Sequence, residues 1–565
     1  MKARSVAWTG IGVLLATVGA LLQTPAQPPR QVGITALLPA GATLVLQAKN
    51  LASLVGDWNS STEKPAWLES DNYQSFSRSR LFLRLKDAFD EFSTAAGVPP
   101  DMSLVSEVAG TASALGLYDI GKLEFLYVTA LPAARAMENA LWRTRGRFEP
   151  RQATGTPFYV RVDPESKRVV AFAVRDGFLV LATREDLVAG ALALIGRQTT
   201  TSAAGEAWFA QATGMAPVAG DVRLVANLQA LTRQPHFRSY WIQGNAAELR
   251  GYVSAVSDLH RSAEMISEQR VLLRAERAEP SGSRELGQIM RLVPGNAGLY
   301  RAWTSPPAQQ ASTLLVEKVF ATSGAPAQRD RSAPRLGSVG DRTGSAGDLE
   351  TRIDEEPRAP RVPAYRFEAL TRLVGSAPLT SMLQVESTRT ARDGVFVDRG
   401  AVIVLARAEN WAPGAARDAL RAAVDPVWTK AHIGMRWIDA TIGGQTFAQI
   451  EGLDRVAIAE RGNLLFVAND PVLLAAVLAR TSEPPLLTEG TYAAGFNHAL
   501  ERGPFAAMMR LVENPRGGDE NREPMFFSEN VASLGATLAR VERVSVSVRD
   551  RGVAVDETVQ YRLVR

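Results

Sequence analysis

A chain of 565 residues has room for several domains at about 100–200 residues each. Its 46% apolar and 22% charged composition, with mean hydropathy -0.06, excludes both wholesale disorder and a polytopic membrane protein. Sixty-three basic against 59 acidic residues leave +4, too thin a surplus over this length to predict a nucleic-acid partner, and the lack of cysteine removes disulfides, thiolate metal sites, Cys nucleophiles and lipidation at an N-terminal Cys.

Met1-Lys2-Ala3-Arg4 precedes residues 5–22, an uncharged and largely apolar run. A basic start followed by such a run is the pattern of an export signal, and Thr24-Pro25-Ala26 offers small residues for cleavage after Ala26. Left uncleaved, 18 residues reach about 27 Å against a hydrocarbon core of about 30 Å, so a single-span anchor is the other outcome. Lys2 and Arg4 hold the short end inside. Both outcomes place the body outside the cytoplasm, either periplasmic or secreted, or anchored to the inner membrane by residues 5–22.

Further along, Leu38-Pro39-Ala40-Gly41 leads into a strand. Residues 81–92 follow as an amphipathic helix with Leu81, Leu85, Phe89 and Phe92 on one face, a stripe of core type. Residues 156–160, 169–174 and 177–182 then read as strands, and a helix opened by Asp186 at its N-cap comes next. The same series returns as 445–450, 455–459 and 462–468 followed by Asp470-Pro471, with proline at the first helical position. The offsets are 289 for Phe158 to Phe447, 285 for Gly177 to Gly462 and 284 for Asp186 to Asp470. Upstream, residues 38–46 answer 292–300 at an offset of 255, and Phe125 answers Ala401 at 276. This steady drift marks an internal repeat with extra length in the second copy. The extra length includes residues 323–361, rich in Gly, Pro, Ser, Arg and Asp, which reads as a disordered loop. The chain closes on a hairpin: Val544, Val546 and Val548 alternate with Ser545 and Ser547, turn at Asp550-Arg551-Gly552, and return through Val559, Tyr561 and Leu563. The expected fold is α+β, two similar halves of antiparallel sheet with packed helices, at 31–285 and 286–565, after a signal or anchor at 1–26.

Leu38-Pro39-Ala40-Gly41, Leu115-Gly116-Leu117-Tyr118-Asp119-Ile120-Gly121, and the Gly177 strand running into Asp186 resemble a bacterial family catalogued as domain of unknown function 3352. The resemblance implies export and a duplicated α+β body. It carries no activity and no catalytic residues.

A search for chemistry yields no catalytic, cofactor-binding or metal residues. Gly116 to Leu123 has nearly the spacing of a phosphate-binding loop, but Leu123 stands where a hydroxyl must meet magnesium, and strand residues 125–130 follow where a helix N-terminus is needed. The segment reads as a hairpin turn. Ser61 and Lys64 have the spacing of an acyl-enzyme pair without its companion motifs. His236, His260, His432 and His498 are too far apart in sequence for a local metal pair. Asp354-Glu355-Glu356 and Asp519-Glu520 read as solvated loops, and Asn59-Ser60-Ser61 is a sequon. Trp58, Trp67 and Trp241 are the aromatics to examine as binding anchors. The function read from this is an exported, non-enzymatic binding or interaction protein of the cell envelope, with an unknown protein or ligand as partner, no cofactor, no nucleic acid, and a membrane met only through residues 5–22. The alternative is an exported hydrolase whose site is assembled from residues scattered in sequence.

Overall fold

A computed structural model of the chain describes residues 33–564 except 70, 102, 238–248, 263, 281–283, 321–364, 392–395, 429–435, 452–454 and 505–539. The export segment with its cleavage point, the loop 323–361, the acidic clusters at 354–356 and 519–520, Trp241 and His432 lie outside the described residues. The fold is α+β with antiparallel sheet, in two compact units: 1–281 with 495–565, and 282–494. Among the described residues no helix is long and apolar enough to cross a membrane.

In the first unit the strands are β1 (Leu44–Ala48), β2 (Ser113–Asp119), β3 (Glu124–Ala130), β4 (Glu149–Ala153), β5 (Thr156–Val162), β6 (Val169–Arg175), β7 (Phe178–Ala182), β8 (Val222–Asn227), β9 (Tyr252–Arg261) and β10 (Met265–Arg274). Their order is β4-β5-β6-β7-β3-β2-β1-β8-β9-β10, every neighbour antiparallel. The β6–β7 turn is closed by Asp176 and Gly177, both at positive φ (50° and 79°), the left-handed pair that matches strand twist in a two-residue hairpin. Between β1 and β2 come α1 (Leu51–Ser60), α2 (Glu63–Leu68), α3 (Asp71–Ser77) and α4 (Arg80–Ala96), followed by a short helix at Ser103–Val108. The stripe read at 81–92 is the middle of α4, which starts where the Ser79 side chain accepts from the Phe82 N–H and stops at left-handed Gly97. Two more helices, α5 (Glu185–Ile195) and α6 (Ala207–Met215), cover one sheet face, where Leu187, Val188, Leu192 and Phe209 meet Val45, Val128 and Val180. The opposite face buries Tyr127, Phe172 and Leu181 against Phe92, Ala95 and Ala96 of α4. Cover on both faces is why β6 and β7 read as almost continuous apolar runs, each fully buried Leu or Val contributing about 1.5–3 kcal/mol.

The second unit holds β11 (Leu299–Thr304), β12 (Leu379–Ala391), β13 (Phe396–Arg407), β14 (Arg436–Ile442), β15 (Gln445–Glu451), β16 (Val456–Arg461), β17 (Leu464–Ala468) and the start of β18 (Tyr492–Asn497). Their order is β14-β15-β16-β17-β13-β12-β11-β18. Helices α7 (Ala308–Val319), α8 (Glu368–Gly375) and α9 (Ala415–Trp428) bury Leu315, Leu370, Leu420 and Trp428 on one face against Ile403 and Leu465. Helix α10 (Pro471–Leu478) buries Leu473, Leu474 and Val477 on the other, against Val402, Val404 and Phe466. Asp470 caps α10 by accepting from the Val472 and Leu473 N–H groups. Its expected counterpart does not cap α5: that helix begins before Asp186, with Arg184 at the N-cap and no side-chain cap bond. Asp186 instead sits in the first turn, where a carboxylate favours the helix N-terminus, and pairs with Arg184 at 2.5 Å.

The chain then returns to the first unit through β19 (Val541–Asp550) and β20 (Ala554–Leu563). β20 runs antiparallel to β10 from Met265 opposite Arg562 to Leu273 opposite Ala554. The expected halves at 31–285 and 286–565 follow similarity in sequence, whereas the compact units follow packing; residues 282–285 and 495–565 are assigned differently by the two divisions. The alternation of Val and Ser in β19 does not separate a buried from a wet face, because Ser545 and Ser547 are half-buried like Val544 and Val546.

Candidate functional site

A cluster of titratable side chains on the sheet of the first unit comes from β9, β10 and β20. Register sets Ser257 opposite Arg270 and Arg270 opposite Glu557. Glu268 and Arg270 lie two apart on β10, so both project from the same face. Glu268 holds Arg270 in a bidentate pair, Nε to Oε1 at 2.6 Å and Nη2 to Oε2 at 2.7 Å. Ser257 Oγ donates to the same Glu268 Oε1 at 2.7 Å, and Arg270 Nη1 stands 3.6 Å from Glu557 Oε2. Burial pulls the Arg270 guanidinium down, but the bonds and charge of Glu268, joined by Glu557, outweigh it and leave its pKa raised. Tyr561 is also pushed above its ordinary value, by burial first and by Glu268 next. A cavity of about 10 Å³ lies beside this cluster, lined by Leu224, Ala226, Ala255, Ser257, Arg270 and Leu272. It has room for about one water, far below the several hundred Å³ of a small-molecule site.

Strands β8 and β9 carry a second pair on the opposite face. Arg223 and Asp258 are direct cross-strand partners, joined by Nε to Oδ1 and Nη2 to Oδ2, both 2.7 Å. Asp258 Oδ1 also accepts from the Gly220 N–H at 2.8 Å, and Arg223 Nη2 donates to the Ala216 carbonyl beyond the end of α6. In the second unit Glu386 of β12 is 2% exposed. Lys318 of α7 meets it at 3.0 Å and Arg399 of β13 at 2.5 Å, and the Gln384 amide donates to Oε1. Burial raises the Glu386 pKa, but the charges of Lys318 and Arg399 outweigh it and hold the carboxyl below its ordinary range.

None of these eight charged residues was singled out by sequence motif. The missed signal is a charge inside an apolar strand, as in Val222-Arg223-Leu224-Val225 and Met382-Leu383-Gln384-Val385-Glu386, which requires an ionic partner on a neighbouring strand or helix.

The histidines are placed apart. His236 is exposed and lies over Gly121, where a Cβ would come within 2.5 Å of its Cδ2. His260 sits on β9 opposite Ser267, its Nε2 buried without a hydrogen-bond partner. His498 is half-buried and meets Phe496 edge-on at 4.7 Å; burial, then Arg502, push its pKa down. Among the described residues no group of three or more His, Asp or Glu is arranged to hold a metal ion. Ser61 Oγ donates to the Trp58 carbonyl and accepts from the Lys64 N–H, while Lys64 Nζ goes to Asn59, so the pair serves a helix start. Residues 116–123 form the β2–β3 hairpin, with Asp119 Oδ1 accepting from the Gly121 and Lys122 N–H groups. Trp58 and Trp67 are half-buried.

No family model matches the chain, and no curated protein matches it. A solved structure, crystal form I of TP0453, shares 10% identity, covering 43% of this chain and 80% of its own length, at a TM-score of 0.22. A likeness that slight transfers neither architecture nor activity.

Proposed function

We propose that this is an exported protein of the cell envelope, built from two copies of one α+β unit, that works by binding a partner. The observation that carries the binding reading is the internal pairing of three buried carboxylates. Asp258 is taken by Arg223 and Gly220, Glu268 by Arg270 and Ser257, and Glu386 by Lys318, Arg399 and Gln384. A general acid or base needs an unsaturated group beside a space for substrate, whereas these groups hold strands and helices together. Export rests on residues 1–26, as does the choice between a cleaved signal and an inner-membrane anchor.

The duplication is supported by register. Starting from Leu44 matched to Leu299, an offset of 255, the successive pairings predict offsets of 276 for β3 to β13 and 289 for β5 to β15. Those are the offsets read from the residues alone. The same walk gives 286 for β7 to β17, so Gly177 corresponds to Asn463, one residue beyond the Gly462 that sequence similarity picks. Irregular hydrogen bonds agree: Thr183 N–H to the Phe125 carbonyl is answered by Asn469 N–H to Ala401, and Lys49 N–H to Asp221 by Thr304 N–H to Thr491. The resemblance to domain of unknown function 3352 fits this reading and adds no activity to it.

Two experiments test the proposal. A reporter active only after export, fused after Arg565, is expected to be active; silence refutes export. A knockout phenotype complemented by His236→Ala, His260→Ala, His432→Ala and His498→Ala is expected to survive each change at normal protein levels. The hydrolase alternative has one observation in its favour: burial keeps His498 neutral near pH 7, the form a general base requires. Loss of complementation by His498→Ala, with the protein folded and exported, would select it.

A further inference from the structure

We propose that the corner made by α2, α3 and the first half of α4 docks on an anionic lipid surface. Residues 73–86 read Tyr-Gln-Ser-Phe-Ser-Arg-Ser-Arg-Leu-Phe-Leu-Arg-Leu-Lys, four cations with no carboxylate among them. Their rings form a chain of edge contacts: Trp67 to Tyr73 at 6.1 Å, Tyr73 to Phe82 at 6.1 Å, and Phe82 to Phe76 at 5.3 Å. All four rings are half-exposed. Helix α2 packs on α1 and α3, and α3 on α2 and α4, while α4 enters the sheet core only from Phe92 onward. The aromatic cluster therefore stands outside the cores that hold the sheet. Leu68 and Leu83 are 42% and 48% exposed, and Arg78 and Arg80 are exposed with no ion pair to either among the described residues.

Charge selects the occupant. A second copy placed face to face would set Arg78 and Arg80 against like charges, which disfavours it. Anionic headgroups complement the exposed Arg78 and Arg80 without demanding a register, and Trp and Tyr rings, apolar with a polar rim, settle at headgroup depth. Along the chain Glu63 and Glu69 with Asp71 precede this basic window, at the α2 and α3 side of the corner, and Asp87 follows it. Asp90 and Glu91 are neutralised by Lys86 at 2.5 Å and Arg168 at 2.5 Å. Such a basic, aromatic helix corner is the pattern of surface association rather than spanning. The contact is separate from residues 5–22 and does not depend on whether they are cleaved.

The chain has no cysteine, so Leu83→Cys provides one attachment point for an environment-sensitive nitrobenzoxadiazole dye on the full-length protein. With vesicles of phosphatidylglycerol and phosphatidylcholine at low salt the dye is expected to shift to the blue and brighten; with phosphatidylcholine alone it is expected to stay water-like. The same dye at Glu149→Cys on β4 is expected to stay water-like with both. Arg78→Gln with Arg80→Gln is expected to weaken the Leu83 dye response to anionic vesicles about 30-fold in lipid concentration, and raised salt to weaken it further. A water-like dye on anionic vesicles that sediment the chain through its apolar N-terminal run overturns the proposal. So does an equal response to phosphatidylcholine. A blue shift without vesicles that grows with protein concentration overturns it too, and assigns the face to a second copy.

Discussion

The Arg223–Asp258 pair of the first unit and Glu386 of the second both place charge inside an antiparallel sheet, and they keep it there differently. Arg223 and Asp258 have side chains only 8% and 2% exposed, so both ions are inside and each is the other's principal compensation. Glu386 is equally buried at 3%, but Lys318 and Arg399 are 26% and 46% exposed and reach in from a helix and the neighbouring strand. The first arrangement is closed and depends on the β8–β9 register. The second is open, with two cations for one carboxylate. A closed pair fails completely when one partner goes, because the survivor is a buried, uncompensated charge; an open cluster loses one partner and keeps the other.

The sharpest test of this contrast is Arg223→Ala. Asp258 would keep only the Gly220 N–H, and the expected loss is about 3–5 kcal/mol of stability, read from urea unfolding. Arg223→Leu with Asp258→Leu is expected to recover most of it, since a well-packed apolar pair avoids the desolvation cost. A loss below about 1 kcal/mol for Arg223→Ala would mean that water reaches Asp258 and that the pair is not closed.

The open cluster should respond less, and in graded fashion. Glu386→Gln is expected to cost about 1.5–3 kcal/mol, the range for hydrogen bonds to charged groups, and Lys318→Met less, because Arg399 remains. The pH dependence has a definite sign. The folded pKa of Glu386 lies below the unfolded one, so its contribution is complete above the ordinary carboxylate range near pH 4 and disappears as pH falls through the folded value. The gap between the parent and Glu386→Gln should therefore close on acidification. A gap that widened would show burial outweighing the two cations.

What could be read from the sequence follows from how local each cause is. The strands at 156–182 and 445–468 and the C-terminal hairpin were legible, because turn residues and apolar runs a few positions apart determine them. Helix α4 was legible from its stripe. The pairing of β20 with β10 was not, since nothing local in Met265 to Leu273 indicates which distant strand takes its open edge. Nor were the ion pairs: Arg223 and Asp258 become partners only once β8 and β9 set their register, and Glu386 meets Lys318 only once α7 crosses the sheet. On the duplication proposed above, Gly177 corresponds to Asn463 rather than Gly462, because a two-residue turn accepts glycine at either position, Asp176-Gly177 in one hairpin and Gly462-Asn463 in the other.

Helices α10 and α5 offer a smaller comparison. Asp470→Ala removes a cap that accepts from two N–H groups and is expected to cost about 1 kcal/mol. Arg184→Ala at the start of α5 removes no cap bond. It loses only partly exposed pairs with Glu124 and Asp186, worth about 0.2–1 kcal/mol each. Equal or reversed losses in thermal unfolding would show that the helix dipole at Asp186, rather than capping geometry, controls these ends.

The smallest expected effect concerns His498. Burial and Arg502 lower its folded pKa, so between about pH 7 and 5 the unfolded chain, with an ordinary histidine near 6.5, takes up a proton that the folded chain resists. Stability should fall as pH drops through this window, and His498→Asn should flatten that part of the slope while leaving the lower, carboxylate-driven fall in place. Being half-buried, His498 can shed part of the cost by turning toward water, which is why its slope should be shallower than the one that Glu386 contributes at lower pH. An unchanged slope in His498→Asn would show that the imidazole protonates freely in the folded chain, and would remove the one feature that favours a general base here.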